Sequence, residues 1–321
     1  MNQGFPRLLG DIGGTNARWA WQASAGADLE DISVLPCGAS ASLQESARSY
    51  LHSHGRQTPQ WAGIGIATAI TGDEVRMTNN DWRFSIAEFQ HALGLQRCLV
   101  INDFTSLALS LPALKPSDLR AIGGGVPVDG QTIGLLGPGT GLGVSGLISD
   151  GQGNFTALAG EGGHVTLAAT DDREAAIISI LRKTFSHVSA ERVLSGPGLV
   201  NLYNAVCALE GKPAQPFSPA DVTDKAIAKS DAQCVVAIEY FTRFLGSVAG
   251  NLALTLGSLG GMYLGGGIVP RLGAAFDDVL FRQQFEAKGR YQALLEGLPV
   301  WLITASTPAL VGASRALDVL P

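Results

Sequence analysis

Residues 8–21, LLGDIGGTNARWAW, run an apolar strand into Gly10-Asp11-Ile12-Gly13-Gly14-Thr15 and straight back out as a second strand. Glycine lets a backbone turn tightly and approach a ligand closely. Amide hydrogens here can therefore meet phosphate oxygens, with the carboxylate of Asp11 beside them. A carboxylate among phosphates implies a cation. Mg2+ keeps several of its waters, so one Asp next to the phosphates of a nucleotide is a sufficient protein anchor. The same residues also spell an ordinary glycine hairpin. The segment 134–148, GLLGPGTGLGVSGLI, repeats the design, with Gly137-Pro138-Gly139-Thr140-Gly141-Leu142-Gly143 between two strands. Two such hairpins suggest two facing domains. Gly141-x-Gly143-x-x-Gly146 matches the dinucleotide fingerprint in spelling only, because that fingerprint opens a helix and 144–148 reads as a strand. Neither turn carries the Gly-Lys-Ser/Thr of a Walker loop, so backbone amides and hydroxyls must hold the phosphates.

The elements that position these groups follow from periodicity. A strand meander is expected at about 6–12, 16–23 and 32–37, then a helix over 42–54. WAGIGIATAI and CLVIND are apolar runs typical of parallel strands buried on both faces. Ser85 with Glu88 three residues on predicts a capping box opening a helix to about 93. Around Pro112 to Pro116 the chain changes domain, and GGGVPVDG at 123–130 is a loop. The meander restarts near Ile133, with strands through Val144 and Phe155, then the loop LAGEGGHV. Helices are expected near 172–186, 196–210 and 231–257, the last capped by Ser230 or Asp231. The strand MYLGGG, a helix from about Pro270 and the strand WLITAS at 301–306 follow. A final helix over 308–319, with Thr307 as cap and Pro308 in its first turn, folds back onto the first domain. The expected architecture is two α/β domains around a central cleft: 1–112 completed by 303–321, and 113–302.

Composition narrows the class. At 321 residues the chain is long enough for two cores, and 46% hydrophobic against 16% charged residues excludes disorder as the main state. The 41 glycines cluster in turns without a period, which excludes collagen and low complexity. A formal charge of −6 without a basic, aromatic-interleaved stripe argues against nucleic acid. Cys37, Cys98, Cys207 and Cys234 form no CxxC pair and have no histidines at ligand spacing. They read as free, mostly buried thiols of a reducing compartment. MNQGFPRLL shows no apolar signal core, so the expected location is the cytoplasm. Residues 244–270 carry no charge, a length that could cross a membrane. Their eight glycines, with Ser247, Asn251, Thr255 and Ser258, read instead as the end of a buried helix, a strand and a turn.

The chain resembles the bacterial-type glucokinases of the actin/Hsp70/hexokinase superfamily over essentially its whole length. The matching elements stand in the family's order: GDIGGTNAR, ITGDEVRMTNNDW, INDF, GPGTGLGV, GEGGH, SAERVLSGPGL and LGGGIVPR. The resemblance implies two actin-like (ribonuclease H-like) α/β domains, transfer of a phosphoryl group from ATP with Mg2+ to the 6-hydroxyl of glucose, and a homodimer. One departure is Ala69 in IATAITGD, where the family commonly has proline.

Asp103 follows a buried strand at its carboxyl end, where ligands of open α/β sheets gather, and can accept the proton of an attacking sugar hydroxyl. Asn102-Asp103 is also a helix N-cap sequence, and both roles can hold at once, with Asn102 as a partner of a sugar hydroxyl. Glu161, His164 and Glu191 resemble the family's sugar-binding positions, and carboxylates suit hydroxyls that both donate and accept. Read without the family, His164 is a satisfied structural residue and Glu191 a solvated helix face. Gly10, Asp11, Ile12, Gly13, Gly14, Thr15, Gly139 and Thr140 are expected to hold the phosphates, with Asp11 ordering Mg2+ through water. Gly265 and Gly266 resemble the adenosine-side motif, or make a simple close-packed turn. The cysteine cluster that gives related ROK kinases a zinc site is missing after His164, where the chain reads VTLAATDDRE. A kinase for another hexose or amino sugar is the alternative within enzymes. An actin- or Hsp70-like ATPase leaves INDF and GEGGH without work, and a transcription regulator on this fold lacks room for a helix-turn-helix before the first strand.

Overall fold

The computed structural model describes residues 4–77 and 80–320. Thr78 and Asn79 of the ITGDEVRMTNNDW motif, and Met1 to Gln3 of the N-terminal stretch, lie outside the described residues. The chain forms two compact units, one running to Lys115 and resuming at Ala305, the other spanning Pro116–Thr304.

The first unit is built from β1 (Arg7–Ile12), β2 (Asn16–Gln22), β3 (Glu30–Pro36), α1 (Leu43–Ser53), β4 (Trp61–Ile66), β5 (Glu74–Arg76), β6 (Arg83–Ser85), α2 (Ile86–Ala92), β7 (Arg97–Asn102) and α3 (Asp103–Ser110). Its sheet runs β3-β2-β1-β4-β7. The meander pairs antiparallel, while β1, β4 and β7 lie parallel and in register at Ile12, Ile66 and Asn102. All but the first residue of β4 are buried, as its unbroken apolar run requires. The β5–β6 hairpin has no counterpart in the sequence reading, because three-residue strands are too short to show a period. Ser85 caps α2 through the Glu88 amide, and Asp73 completes the helix start in place of the expected Glu88. It takes the Ser85 hydroxyl at 2.5 Å and the Ala87 amide at 2.9 Å.

The second unit holds β8 (Leu119–Ala121), β9 (Ile133–Pro138), β10 (Leu142–Ser149), β11 (Phe155–Ala157), α4 (Asp172–Leu181), α5 (Gly196–Leu209), α6 (Pro219–Ile227), α7 (Ala232–Leu256), β12 (Met262–Leu264), α8 (Ile268–Leu272), α9 (Asp278–Glu286), α10 (Gln292–Glu296) and β13 (Val300–Ile303). Its sheet runs β11-β10-β9-β12-β13-β8. An antiparallel meander followed by two parallel strands repeats the plan of the first unit, with β8 added antiparallel at the far edge. Helix α6 escaped the sequence reading because Pro213, Pro216 and Pro219 look like a loop. Its signal was Ser218-Pro219-x-Asp221, which forms a complete capping box with proline in the first turn. Asp231 caps α7. Residues 244–270 are the end of α7, a turn at Gly257 (φ 62°) and β12, and among the described residues no helix is long and apolar enough to cross a membrane.

The last helix, α11 (Pro308–Val319), belongs to the first unit. Thr307 precedes it without a side-chain cap bond, so the preset φ of Pro308 starts the helix rather than the expected hydroxyl. Buried Arg7 donates to the Ser314 carbonyl and to Asp318, and Arg97 donates to the Leu317 and Leu320 carbonyls. Arg97 thereby satisfies carbonyls that a helix end leaves orphaned.

Candidate active site

In the first unit, register places two predicted groups on one edge. Ile12, Ile66 and Asn102 are aligned, so Asp11 with its hairpin and Asp103 emerge at the same carboxyl edge, two interstrand steps of about 4.8 Å apart. The Gly13 amide closes the turn on the Asn16 carbonyl at 2.9 Å, and the Cys37 amide holds the Thr15 carbonyl at 2.8 Å. Among the described residues, the Gly14 and Thr15 amides enter no backbone hydrogen bond, which leaves two donors at the tip for an anion.

Asp11 is one-fifth exposed, and its Oδ2 accepts from Arg18 Nη1 at 2.6 Å. Burial pushes its carboxyl up, with the charge and hydrogen bond of Arg18 pulling it back. Arg18 was missed from the sequence, although hairpin register puts it directly opposite Asp11. Among the described residues no group of three His, Cys, Asp or Glu side chains could hold a metal. A single part-buried carboxylate fits Mg2+ only as an ion coordinated mainly by phosphates and water, with Asp11 in an outer position.

Asn102 is the N-cap of α3, its Oδ1 accepting from the Phe104 and Thr105 amides at 2.9 and 3.2 Å. Its Nδ2 reaches the Thr68 carbonyl at 3.4 Å. The capping role is therefore real. Asp103 opens the helix, part-exposed, with Oδ1 on the Phe104 amide at 2.9 Å.

In the second unit the Gly139-Thr140-Gly141 turn joins β9 to β10, and Thr140 is exposed. The Gly139 carbonyl accepts from the amide of Gly196, the first residue of α5, at 2.8 Å. Ser195 caps that 14-residue helix, whose positive end thus lies beside the turn. Glu191 is not on a solvated helix face. It sits in a one-turn 3-10 helix (Ala190–Arg192), and its Oε2 accepts from the Leu142 amide at 2.9 Å. A Cβ at Gly141 would stand 2.5 Å from that oxygen, so a side chain there would displace the Glu191 carboxylate. Gly265 donates to the Leu136 carbonyl at 2.9 Å, and Gly266, at φ 77°, leaves 2.3 Å between a Cβ position and the Pro138 carbonyl. Gly265 and Gly266 make a close-packed turn that backs directly onto the β9–β10 hairpin.

The Gly162–His164 turn is joined to the Glu191 turn by a bridge between Thr166 and Ser189 and by the Ala190 amide on the Val165 carbonyl at 2.9 Å. His164 and Glu191 thereby share the wall of a polar cavity of about 360 Å3, together with His187 and Arg192. Glu161 lies exposed at the start of the same turn, outside that cavity.

The sequence model of the glucokinase family matches residues 8–319. A glucokinase of Aromatoleum aromaticum is 50% identical over 315 residues, covering 98% of this chain and 95% of its own. Among solved structures, the glucokinase of an Antarctic psychrotroph superimposes with a TM-score of 0.89 at 36% identity, covering 98% of both chains. The glucokinase of Balamuthia mandrillaris in complex with glucose, at 20% identity and a TM-score of 0.76 over 97% of this chain and 92% of its own, shares the fold. Matched from its first strand to its last helix, the chain belongs to the glucokinase family.

Proposed function

We propose that this chain transfers the terminal phosphoryl group of ATP to the 6-hydroxyl of glucose, with Asp103 as general base. The observation that carries the reading is the shared carboxyl edge of the first sheet, where the Asp11 hairpin and Asp103 stand in register. Phosphoryl transfer asks a protein mainly for positioning and charge stabilisation. The Gly14 and Thr15 amides, which enter no backbone hydrogen bond among the described residues, and the Thr140 turn beside the positive end of α5 suit phosphate oxygens. Gly265 and Gly266 suit the adenosine side. Asp103 accepts the hydroxyl proton as the oxygen attacks, a contribution of about a hundred- to ten-thousandfold. Asn102, Glu161, His164 and Glu191 hold the other sugar hydroxyls, Glu191 through the oxygen not given to Leu142. Mg2+, ordered through water by Asp11, would neutralise charge developing on the phosphates. The family resemblance adds a homodimer in the cytoplasm, which sedimentation and cell fractionation test.

Asp103→Asn keeps hydrogen-bonding capacity and loses basicity. We expect turnover at least about a hundredfold lower with glucose affinity retained. Near-normal turnover would remove Asp103 from the role of base.

A further inference from the structure

We propose that Asn80 and Cys37 are positioning residues for the phosphate chain of the nucleotide: they hold the carbonyls of the first glycine hairpin and so aim its Gly14 and Thr15 amides at phosphate oxygens. This role rests on the nucleotide function proposed for that hairpin. A glycine tip is conformationally loose, and a loose donor binds weakly because each binding event must order it. Here the tip is held from one side. Asn80 Nδ2 donates to the Gly14 carbonyl at 3.4 Å, Cys37 Sγ to the Gly13 carbonyl at 3.5 Å, and the Cys37 amide to the Thr15 carbonyl at 2.8 Å. A trans peptide points its C=O and N–H in opposite directions. Holding the Gly13 and Gly14 carbonyls therefore turns the Gly14 and Thr15 amides to the opposite face, and these are the amides that enter no backbone hydrogen bond among the described residues.

The holders are themselves fixed. Asn80 Oδ1 accepts from the Trp82 amide at 2.9 Å, which leaves the donating nitrogen of the side chain facing Gly14. Buried Trp82 donates from its indole to the Ser40 carbonyl at 3.1 Å, and the Ser40 amide closes the one-turn 3-10 helix Cys37–Ala39 on the Cys37 carbonyl at 3.2 Å. The Asn80 side chain also bonds the Cys37 thiol. The loop between β5 and β6 thus braces both the hairpin tip and the cysteine behind it. Asn80 lies 66 positions from Gly14, and Cys37 lies 24 positions from Gly13, so neither brace has a local signature in the sequence.

The test is calorimetric titration of the full chain and its variants with ATP and with adenosine, which brings no phosphates to the hairpin, beside thermal unfolding and glucose phosphorylation kinetics. Asn80→Ala is expected to weaken ATP binding about tenfold while adenosine affinity and the glucose KM stay within about twofold. Cys37→Ala should weaken ATP binding about threefold, because S–H is a weak donor, and Cys37→Ser, which restores a hydroxyl donor, should recover most of that loss. The cysteine pair serves if Asn80→Ala is unstable. Unchanged ATP affinity in both alanine variants would overturn the positioning role, because the amides would then be aimed without these side chains. Equal losses of ATP and adenosine affinity would overturn it too, by assigning the effect to the fold. ATP binding that depends on Asn80 in a chain that fails to phosphorylate glucose would refute the proposed function and leave the positioning role standing.

Discussion

Gly312 lies mid-way along α11, where that helix crosses α3. A Cβ at this position would stand 1.6 Å from the Ser106 carbonyl oxygen and 2.6 Å from its carbonyl carbon. Opening that approach to the 3.0 Å floor of real Cβ contacts moves one helix against the other by at least 1.4 Å. The bond from Ser106 Oγ to the Ala309 carbonyl, 2.7 Å, shares the seam. Arg7 and Arg97 tie α11 to β1 and β7, so the eight-residue α3 is the element that yields, and Asp103 is its first residue. Overpacking costs ~1–3 kcal/mol, offset by ~1 kcal/mol from replacing helical glycine with alanine. A net loss of about 0–2 kcal/mol leaves most of a stable enzyme folded. A displacement of more than an ångström at Asp103, the proposed base, has a different scale, about a hundredfold in rate. Gly312→Ala should therefore lower kcat by about two orders of magnitude while Tm falls by a few degrees. Steady-state kinetics and thermal unfolding are measured on the same preparation, with Gly124→Ala, which meets nothing within 4 Å, as the control. A kcat within twofold of the parent chain would refute the reasoning. A deficit that disappeared on cooling would assign the effect to stability.

Gly141→Ala should push the Glu191 carboxylate off the Leu142 amide and raise the glucose KM about tenfold, the size of one charge-assisted hydrogen bond; an unchanged KM would detach Glu191 from the sugar. Burial pushes the Cys98 and Cys234 thiols up to about 12, and those of Cys37 and Cys207 upward. Because the thiolate is the nucleophile, the folded chain should resist a disulfide reagent at pH 8, with all four thiols reacting in urea; rapid labelling of the native chain would contradict this. Hydrogen bonds from the Ser85 hydroxyl and then the Ala87 amide hold the Asp73 carboxyl below its ordinary value. A depressed folded pKa means the stabilisation is present above the unfolded value and is lost as pH falls through the folded one, so Asp73→Asn should flatten the acid limb of Tm against pH below about pH 4. Superimposable acid limbs would exclude Asp73 as a contributor.

Strand, glycine turn and strand are neighbours along the chain. The two glycine hairpins, the order of elements and the placement of Asp103 after β7 could therefore be read from residue order and period alone. The same locality made Asn102 legible as a cap. Short elements were lost, since β5 and β6 are too brief for a period and the prolines before α6 disguise it. The chemistry of the site depended on contacts with no local signature. Glu191 meets the Leu142 amide across 49 positions, Arg18 reaches Asp11 through hairpin register, and Ser106 lies against a helix 203 residues away. Type and spacing nominate groups able to do chemistry. Which of their atoms are already occupied is decided only when packing brings distant segments within hydrogen-bond reach, because only there does one group's donor become another's partner.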